Sequence, residues 1–390
     1  MKIVNTNEKS INKDLIEFTQ HLVRTRSFSG EEGELAKIIE RRMKTLGFDD
    51  VTTDRWGNVI GQVGNGNKTI LFDSHMDTVQ VHDEELWDEP PFSGTIKDGF
   101  LWGRGSVDMK SGLAASVYAA AVAKNSGWLD GKTVFIVCST LEEDCDGEAL
   151  KHALETIEKT PDFGVICEPS SNMISTGHKG KAQIIITSSG ISAHGSAPEK
   201  GKNAVYEMAE IIQRVEHTNN SLMTQPGRHG TLVLSAISSK SVSLNAVPSE
   251  CRIYLDRRMV VGETEQTICE EMDKIIAGKE AVWEIDTMHR NTWTGEPIVY
   301  RPLHPAWEIS SDHELIKAFV GACCDATGFE PVAFDYWDFS TDAVALVSQK
   351  IPVIGLGPGE HKLAHMRNEK CSVKQIMEAC SLYGRAIQRL

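Results

Sequence analysis

The 390-residue chain carries 40 Lys+Arg against 55 Asp+Glu, a net charge of −15, with 41% hydrophobic and 24% charged residues. That length suggests two or three domains with a sizeable core, and the composition excludes a stapled miniprotein, a collagen-like rod and a disordered chain. The negative field repels phosphate backbones and anionic lipid surfaces, so neither nucleic acid nor membrane is an expected partner.

The opening residues MKIVNTNEKSINKD hold no apolar stretch of signal length, and no window approaches roughly 18 uncharged apolar residues, which predicts a soluble cytoplasmic protein. Its nine cysteines include no C-x-x-C pair and are expected to be reduced core residues. Ile11, Leu15, Phe18, Leu22 and Val23 recur at helical spacing over 10–27, and Leu35, Ile38, Ile39 and Met43 repeat the pattern before Gly47. Apolar runs TILF (69–72), TVFIVCST (133–140) and FGVIC (163–167) then alternate with the helical stretches SGLAASVYAAAVA (111–123) and EALKHALETI (148–157). Strands alternating with helices predict crossover units and a mostly parallel sheet covered on both faces.

From about 181 to 288 the order becomes β-α-β-β-α-β, a split-βαβ unit with its own two-layer core. The alternation resumes with a helix near 311–327, the run IPVIGLG (351–357) and a last helix over 373–388. The predicted fold is therefore α/β: a mixed, mostly parallel sheet sandwiched by helices, formed by residues 1–178 and 292–390. An α+β, ferredoxin-like lid or dimerisation domain is inserted at 179–291. The two connections, near Ser175–Lys179 and Arg290–Glu296, contain Gly, Thr or Asn rather than apolar runs and predict a pair of short exposed hinge strands.

In open α/β sheets the binding crevice lies beyond the carboxyl ends of the strands. TILF is followed by Asp73-Ser74-His75-Met76-Asp77, TVFIVCST by Leu141-Glu142-Glu143-Asp144, FGVIC by Glu168, and IPVIGLG, after a Pro-Gly turn, by His361 and His365. Acids and imidazoles at four strand ends form the ligand set that zinc, manganese or cobalt prefers. Singly each has a plainer explanation: Glu142 and Glu143 suit a helix start, and Asp108 in GRGSVDMKSG suits a turn or cap. Their coincidence at one sheet edge favours a metal site.

The segments S-H-M-D (74–77), G-R-G-S-V-D-M-K-S-G (103–112), E-E-D (142–144), C-E-P-S (167–170), G-x-S-A-H-G-S-A-P (190–198), and G-P-G with A-H-M-R-N-E (357–369) resemble the M20 family of metallopeptidases and amidohydrolases. That family has a zinc-exopeptidase-like fold and includes acetylornithine deacetylase, succinyl-diaminopimelate desuccinylase, aminoacylase and glutamate carboxypeptidase. The resemblance implies two divalent metal ions, zinc or else cobalt or manganese. His75, Asp108 and Glu168 would hold one, and His365, Asp108 and Glu143 the other. It assigns Asp77 and Glu142 as carboxylates that are not ligands. Asp77, two residues after His75 on an extended segment, can accept the imidazole N–H. Glu142 would be the general base of amide hydrolysis.

The resemblance further places Asn245, Arg258, Thr341 and Gly357 at the small-molecule substrate, with a surface Arg, a helix cap and a plain turn as the ordinary explanations of the last three. It implies a homodimer through the inserted domain, in which His194 reaches the partner's site to stabilise an oxyanion. Glu168, where many dipeptidases have Asp, tilts the function toward deacylation of an N-acyl amino acid. A dipeptidase or carboxypeptidase with the same metals is the alternative, and a catalytically silent small-anion binding protein is the alternative from another class. Asp144, Cys145 and Asp146 depart from the glycine-rich sequence of many relatives, and Cys145 is expected to be packed.

Overall fold

A computed structural model describes residues 4–157, 159–331 and 333–390. Helices α1 (Val4–Arg24) and α2 (Gly33–Thr45) precede β1 (Asp50–Thr53), β2 (Val59–Gly64) and β3 (Lys68–His75). Then follow β4 (Ile96–Lys97), β5 (Phe100–Trp102), α3 (Lys110–Asn125), β6 (Lys132–Ser139), α4 (Glu142–Cys145), α5 (Glu148–Thr156), β7 (Phe163–Ile166) and β8 (Ser175–His178). The insertion contributes β9 (Gly180–Ser189), α6 (Ala204–Met223), β10 (Thr231–Lys240), β11 (Glu250–Met259), α7 (Glu265–Ile276) and β12 (Ala281–Ile285). After it come β13 (Met288–Asn291), β14 (Pro297–Tyr300), β15 (Leu303–His304), β16 (Trp307–Glu308), α8 (Glu314–Thr327), β17 (Asp335–Trp337), α9 (Ala343–Ser348), β18 (Val353–Gly355), β19 (Lys370–Ser372) and α10 (Val373–Arg389).

The main sheet runs β1-β2-β6-β3-β7-β18-β8-β16, with β17 on β8. Its centre, β6-β3-β7-β18, is parallel, and its flanks are antiparallel apart from β17. Alternate residues of β3 explain the continuous apolar run. Ile70 and Phe72 join the core under α1, α3, α8 and α10, while Leu71 joins the core under α5 and α9. A buried strand needs both faces apolar, and its polar residues are therefore displaced to its carboxyl end.

The inserted segment forms a second sheet, β10-β11-β9-β12, antiparallel throughout, which is the order of a split-βαβ unit. Ala182, Ile184 and Ile186 on β9 and Ile253 and Leu255 on β11 face α6 and α7. The opposite face carries Lys181, Gln183, Asp256 and Arg258, so the period of two separates a core face from a polar one.

The connections differ from the expected exposed hinges. Ser175–His178 is β8, a buried strand inside the main sheet, and Lys179 is also buried. Residues 290–296 belong to the β13–β14 hairpin, whose turn docks on the first part of the chain: Trp293 Nε1 donates to the Gly57 carbonyl at 3.2 Å and Thr294 Oγ1 to Arg55 at 2.7 Å. The chain then rejoins β9 through β15 and crosses to the main sheet only at Pro305–Ala306. The first predicted hinge is therefore a buried, paired strand, and the second is a paired hairpin in which Asn291, Thr294 and Gly295 remain exposed. Among the described residues no helix is long and apolar enough to cross a membrane, and all nine cysteines are free thiols.

Leu71 of β3 is fully buried in the core layer it shares with α5 and α9. Leu71→Ala should lower the unfolding free energy by about 2–5 kcal/mol in urea denaturation; a loss below about 1 kcal/mol would show that this layer is not close-packed.

Candidate metal centre

The carboxyl ends of β3, β6 and β7 bring the predicted ligands together. His75 Nε2 lies 2.9 Å from Asp108 Oδ1, 3.5 Å from Glu168 Oε1 and 3.9 Å from Glu142 Oε2. His365 Nε2 lies 3.2 Å from Asp108 Oδ2 and 2.9 Å from Glu143 Oε2. Asp108 thus presents one oxygen to each imidazole. His75, Asp108 and Glu143, and likewise His75, Glu142 and Glu168, offer ligand atoms within 4.8 Å of one another.

The crowded carboxyls perturb one another's ionisation. Burial, and then the charge of Asp108, pushes the Glu168 carboxyl up to about 8 and Glu143 up to about 7. Burial pushes Glu142 well above the carboxylate range, with His75 opposing and Glu168 adding to it. Burial opposes ionisation of Asp108 too, but the hydrogen bonds from His365 and His75 overcome it and hold its carboxyl low. Glu143 Oε1 is buried without a partner. Two imidazoles and clustered carboxylates with a free lone pair are a donor set that fits divalent ions.

The surrounding chain holds this set in place. His75 Nδ1 is 3.0 Å from the backbone oxygen of Asp77 and 3.5 Å from its carboxylate. The expected Asp77–imidazole contact is therefore made chiefly by the Asp77 carbonyl. The carboxylate is occupied by the backbone N–H groups of Glu142 and Glu143 at 3.1 and 3.2 Å and by Ser29 Oγ at 2.7 Å, so it anchors the first turn of α4. An N–H at Nδ1 leaves Nε2 as the lone-pair donor. Leu141, which turns the chain into α4, is left-handed, and its N–H donates to Glu32 at 3.0 Å.

Glu369, fully buried, accepts from the backbone of Val107 at 2.8 Å and Asp108 at 3.2 Å and from Arg104 at 2.6 Å. Arg104 also donates to the His365 carbonyl at 3.2 Å. One ion pair therefore fixes the loops bearing Asp108 and His365. Lys110, also fully buried, donates to the carbonyls of Leu22 and Thr25, and burial pushes its ammonium down to about 7.

A cavity of about 450 Å³ opens over the cluster, lined among others by Glu142, Lys181, Gln183, Arg258, Phe339 and His361. Arg258 is thus at the cavity wall, whereas Thr341 and Gly357 do not line it. Thr341 is fully buried and its Oγ1 accepts from the Ala343 N–H, a local bond just ahead of α9, whose cap residue is Asp342. The Gly357 N–H is spent on Ser170 Oγ at 3.1 Å, and a Cβ there would sit 2.2 Å from the Cys167 oxygen, so the glycine serves a close backbone approach. Asn245 and His194 are exposed on the inserted segment, joined by an isolated bridge between His194 and Ala246, and neither lines the cavity.

The extra acids are each engaged: Asp144 with Arg290 at 2.6 Å, and Asp146 with Lys181 and Tyr300 Oη, both at 2.8 Å. Cys145 packs with Leu141, Ile298 and Tyr300, as expected. Lys181, Gln183, Arg104 and Glu369 went unnoticed in sequence. Alternation along KAQIII marks Lys181 and Gln183 as one face of a strand, but nothing local shows that the face meets the metal site.

The family model of "Peptidase family M20/M25/M40" matches residues 71–389. The Escherichia coli K12 protein YgeY is 34% identical over 388 residues, 98% of this chain and 96% of its own. Succinyl-diaminopimelate desuccinylase of Cereibacter sphaeroides is 28% identical over 96% of this chain and 98% of its own. Among solved structures, Bacillus subtilis YxeP, described as a dinuclear metal-binding peptidase, superposes with a TM-score of 0.71 at 15% identity, covering 97% of this chain and 98% of its own, a likeness of fold.

Two substitutions probe the centre. Asp108→Ala should leave fewer than two tightly held ions per chain by elemental analysis, since it removes the carboxylate facing both imidazoles. Glu369→Gln alters no ligand side chain, yet chelator competition should show metal affinity lowered roughly 10- to 100-fold through the loosened loops; unchanged affinity would dissociate the Arg104–Glu369 pair from the centre.

Proposed function

The chain belongs to peptidase family M20/M25/M40 and is a hydrolase of amide or peptide bonds, and from that premise we propose that it deacylates a small N-acyl amino acid with two divalent ions, zinc or else cobalt or manganese. The observation that carries this reading is Glu142, a buried carboxylate that faces the same cavity as the ligand cluster and Arg258. His75, Asp108 and Glu168 would hold one ion, and His365, Asp108 and Glu143 the other. When bound, such a pair lowers the pKa of water and polarises a carbonyl. Glu142 takes the proton from the attacking water and returns it to the leaving nitrogen, while its backbone N–H, fixed by Asp77, keeps the carboxylate at the cavity floor. Phe339 lines the same cavity, and Arg258 offers a planar donor pair to a carboxylate. The free thiols agree with a cytoplasmic location.

A screen of the metal-loaded protein over N-acetyl, N-succinyl, N-formyl and N-carbamoyl amino acids and dipeptides should find an N-acyl amino acid as the best substrate. A dipeptide winning by kcat/KM would replace deacylase with peptidase. Glu142→Gln should keep its metals and lose roughly 10²–10⁴-fold in kcat.

The exposure of His194 and Asn245 supports a homodimer through the inserted sheet. Its edge strand β10 leaves Val233 and Ile237 exposed, and Val242 and Leu244 follow on the same segment. Such pairing brings His194 of one protomer to the partner's cavity, where it stabilises an oxyanion. Inactive His194→Ala mixed with inactive Glu142→Gln should regain activity on subunit exchange, because the chain with intact Glu142 receives an intact His194. No recovery despite proven exchange, or full activity of His194→Ala alone, would refute it.

A further inference from the structure

Lys181 and Arg258 are direct cross-strand partners on β9 and β11, on the face of the inserted sheet turned away from its helices, and both line the cavity over the metal cluster. Like charges directly opposite on antiparallel strands repel, and each here is matched by an acid. Arg258 donates through Nε and Nη2 to Asp256 at 2.8 and 3.1 Å. Lys181 donates to Asp146 at 2.8 Å. The two acids differ in kind. Asp256 is a neighbour on the same strand with a side chain 24% exposed, so an incoming anion can take its place. Asp146 is 3% exposed and also accepts from Tyr300 Oη, which in turn meets His304 Nε2 at 2.9 Å, so it stays and holds the ammonium still.

Both cations keep donors in reserve. An ammonium has three, and among the described residues Lys181 uses only the one to Asp146; Arg258 Nη1 has no partner there either. The Lys181 side chain is 12% exposed, all but withdrawn from solvent while still at the cavity wall. A single carboxylate can span two adjacent cross-strand residues, whose Cβ atoms lie about 4.5–5.5 Å apart.

We propose that Lys181 is a specificity-determining residue whose ammonium, positioned by Asp146, shares with Arg258 the free carboxylate of the substrate. The carboxylate is then the handle by which the inserted sheet sets the amide over the cluster, and a substrate with that group capped as an amide is rejected. The identity of the ligand as a substrate rests on the amidohydrolase reading above; the carboxylate clamp itself does not require turnover.

The test uses the metal-loaded Glu142→Gln protein, titrated calorimetrically with N-acetyl-L-methionine, N-succinyl-L-methionine and the carboxamide of each. The acids should bind more tightly than their amides. Lys181→Met combined with Asp146→Asn removes the buried pair without leaving a lone charge, and should shrink that preference roughly 10- to 100-fold, the worth of a hydrogen bond to a charged group. Metal content should not change, and the amides should bind as before. A merely structural tie between Asp146 and Lys181 predicts equal losses for acid and amide. Equal binding of acid and amide before substitution, or a preference that survives the double substitution, overturns the clamp. Absence of hydrolysis by the protein with intact Glu142 would instead count against the amidohydrolase reading, so the two failures are separable.

Discussion

Negative charge withdrawn from water at one edge of one sheet is the constraint around which this molecule is organised. Asp108, Glu142, Glu143 and Glu168 stand within a few ångströms of each other, with Asp73 and Asp342 fully buried behind them. Apolar packing cannot offset the ionisation of so many crowded carboxyls, and burial accordingly pushes Glu142, Glu143 and Glu168 toward the neutral form. The imidazoles, the Arg104–Glu369 pair, the backbone donors at the start of α4 and the implied ions are all responses to that one crowding.

Two scaffolds divide the work. The parallel centre of the main sheet delivers ligands from strand ends that cannot move without disturbing two cores, because adjacent residues of β3 belong to opposite layers. The inserted sheet delivers cations from a polar strand face. The cavity lies where the two meet, so its acid and base walls come from separately folded surfaces.

Much of this was legible in the chain. Apolar runs flanked by acids and histidines located β3, β6, β7 and the ligand cluster, because a doubly covered strand must expel its polar residues to its ends. The β-α-β-β-α-β order of the insertion followed from period-two and helical patterns of ordinary length. What escaped were facts set by distant pairing. Nothing near Leu303 says that it will rejoin β9 beside Ala182, nor that residues 290–296 form a docked hairpin rather than a hinge. Thr341 and Gly357 lie outside the cavity lining, and a hydroxyl bonded to nearby backbone and a glycine that permits close approach are the same residue types that would bind an anion. Asp77 matched its motif, yet its carbonyl meets the imidazole more closely than its carboxylate does.

The interleaving of the chain also bears on how the protein is made. The β7 edge finds its neighbour only in β18, at Val353–Gly355, and β9 finds β15 only at Leu303–His304. At roughly 5–20 residues per second, a ribosome that has released Ile166 needs on the order of 10 to 40 s to supply residue 353. Throughout that interval the central strands carry an open, strongly apolar edge, the state most prone to pair with another nascent chain. A fold that places its chemistry at the meeting of early and late segments thereby leaves that edge uncovered for most of its synthesis.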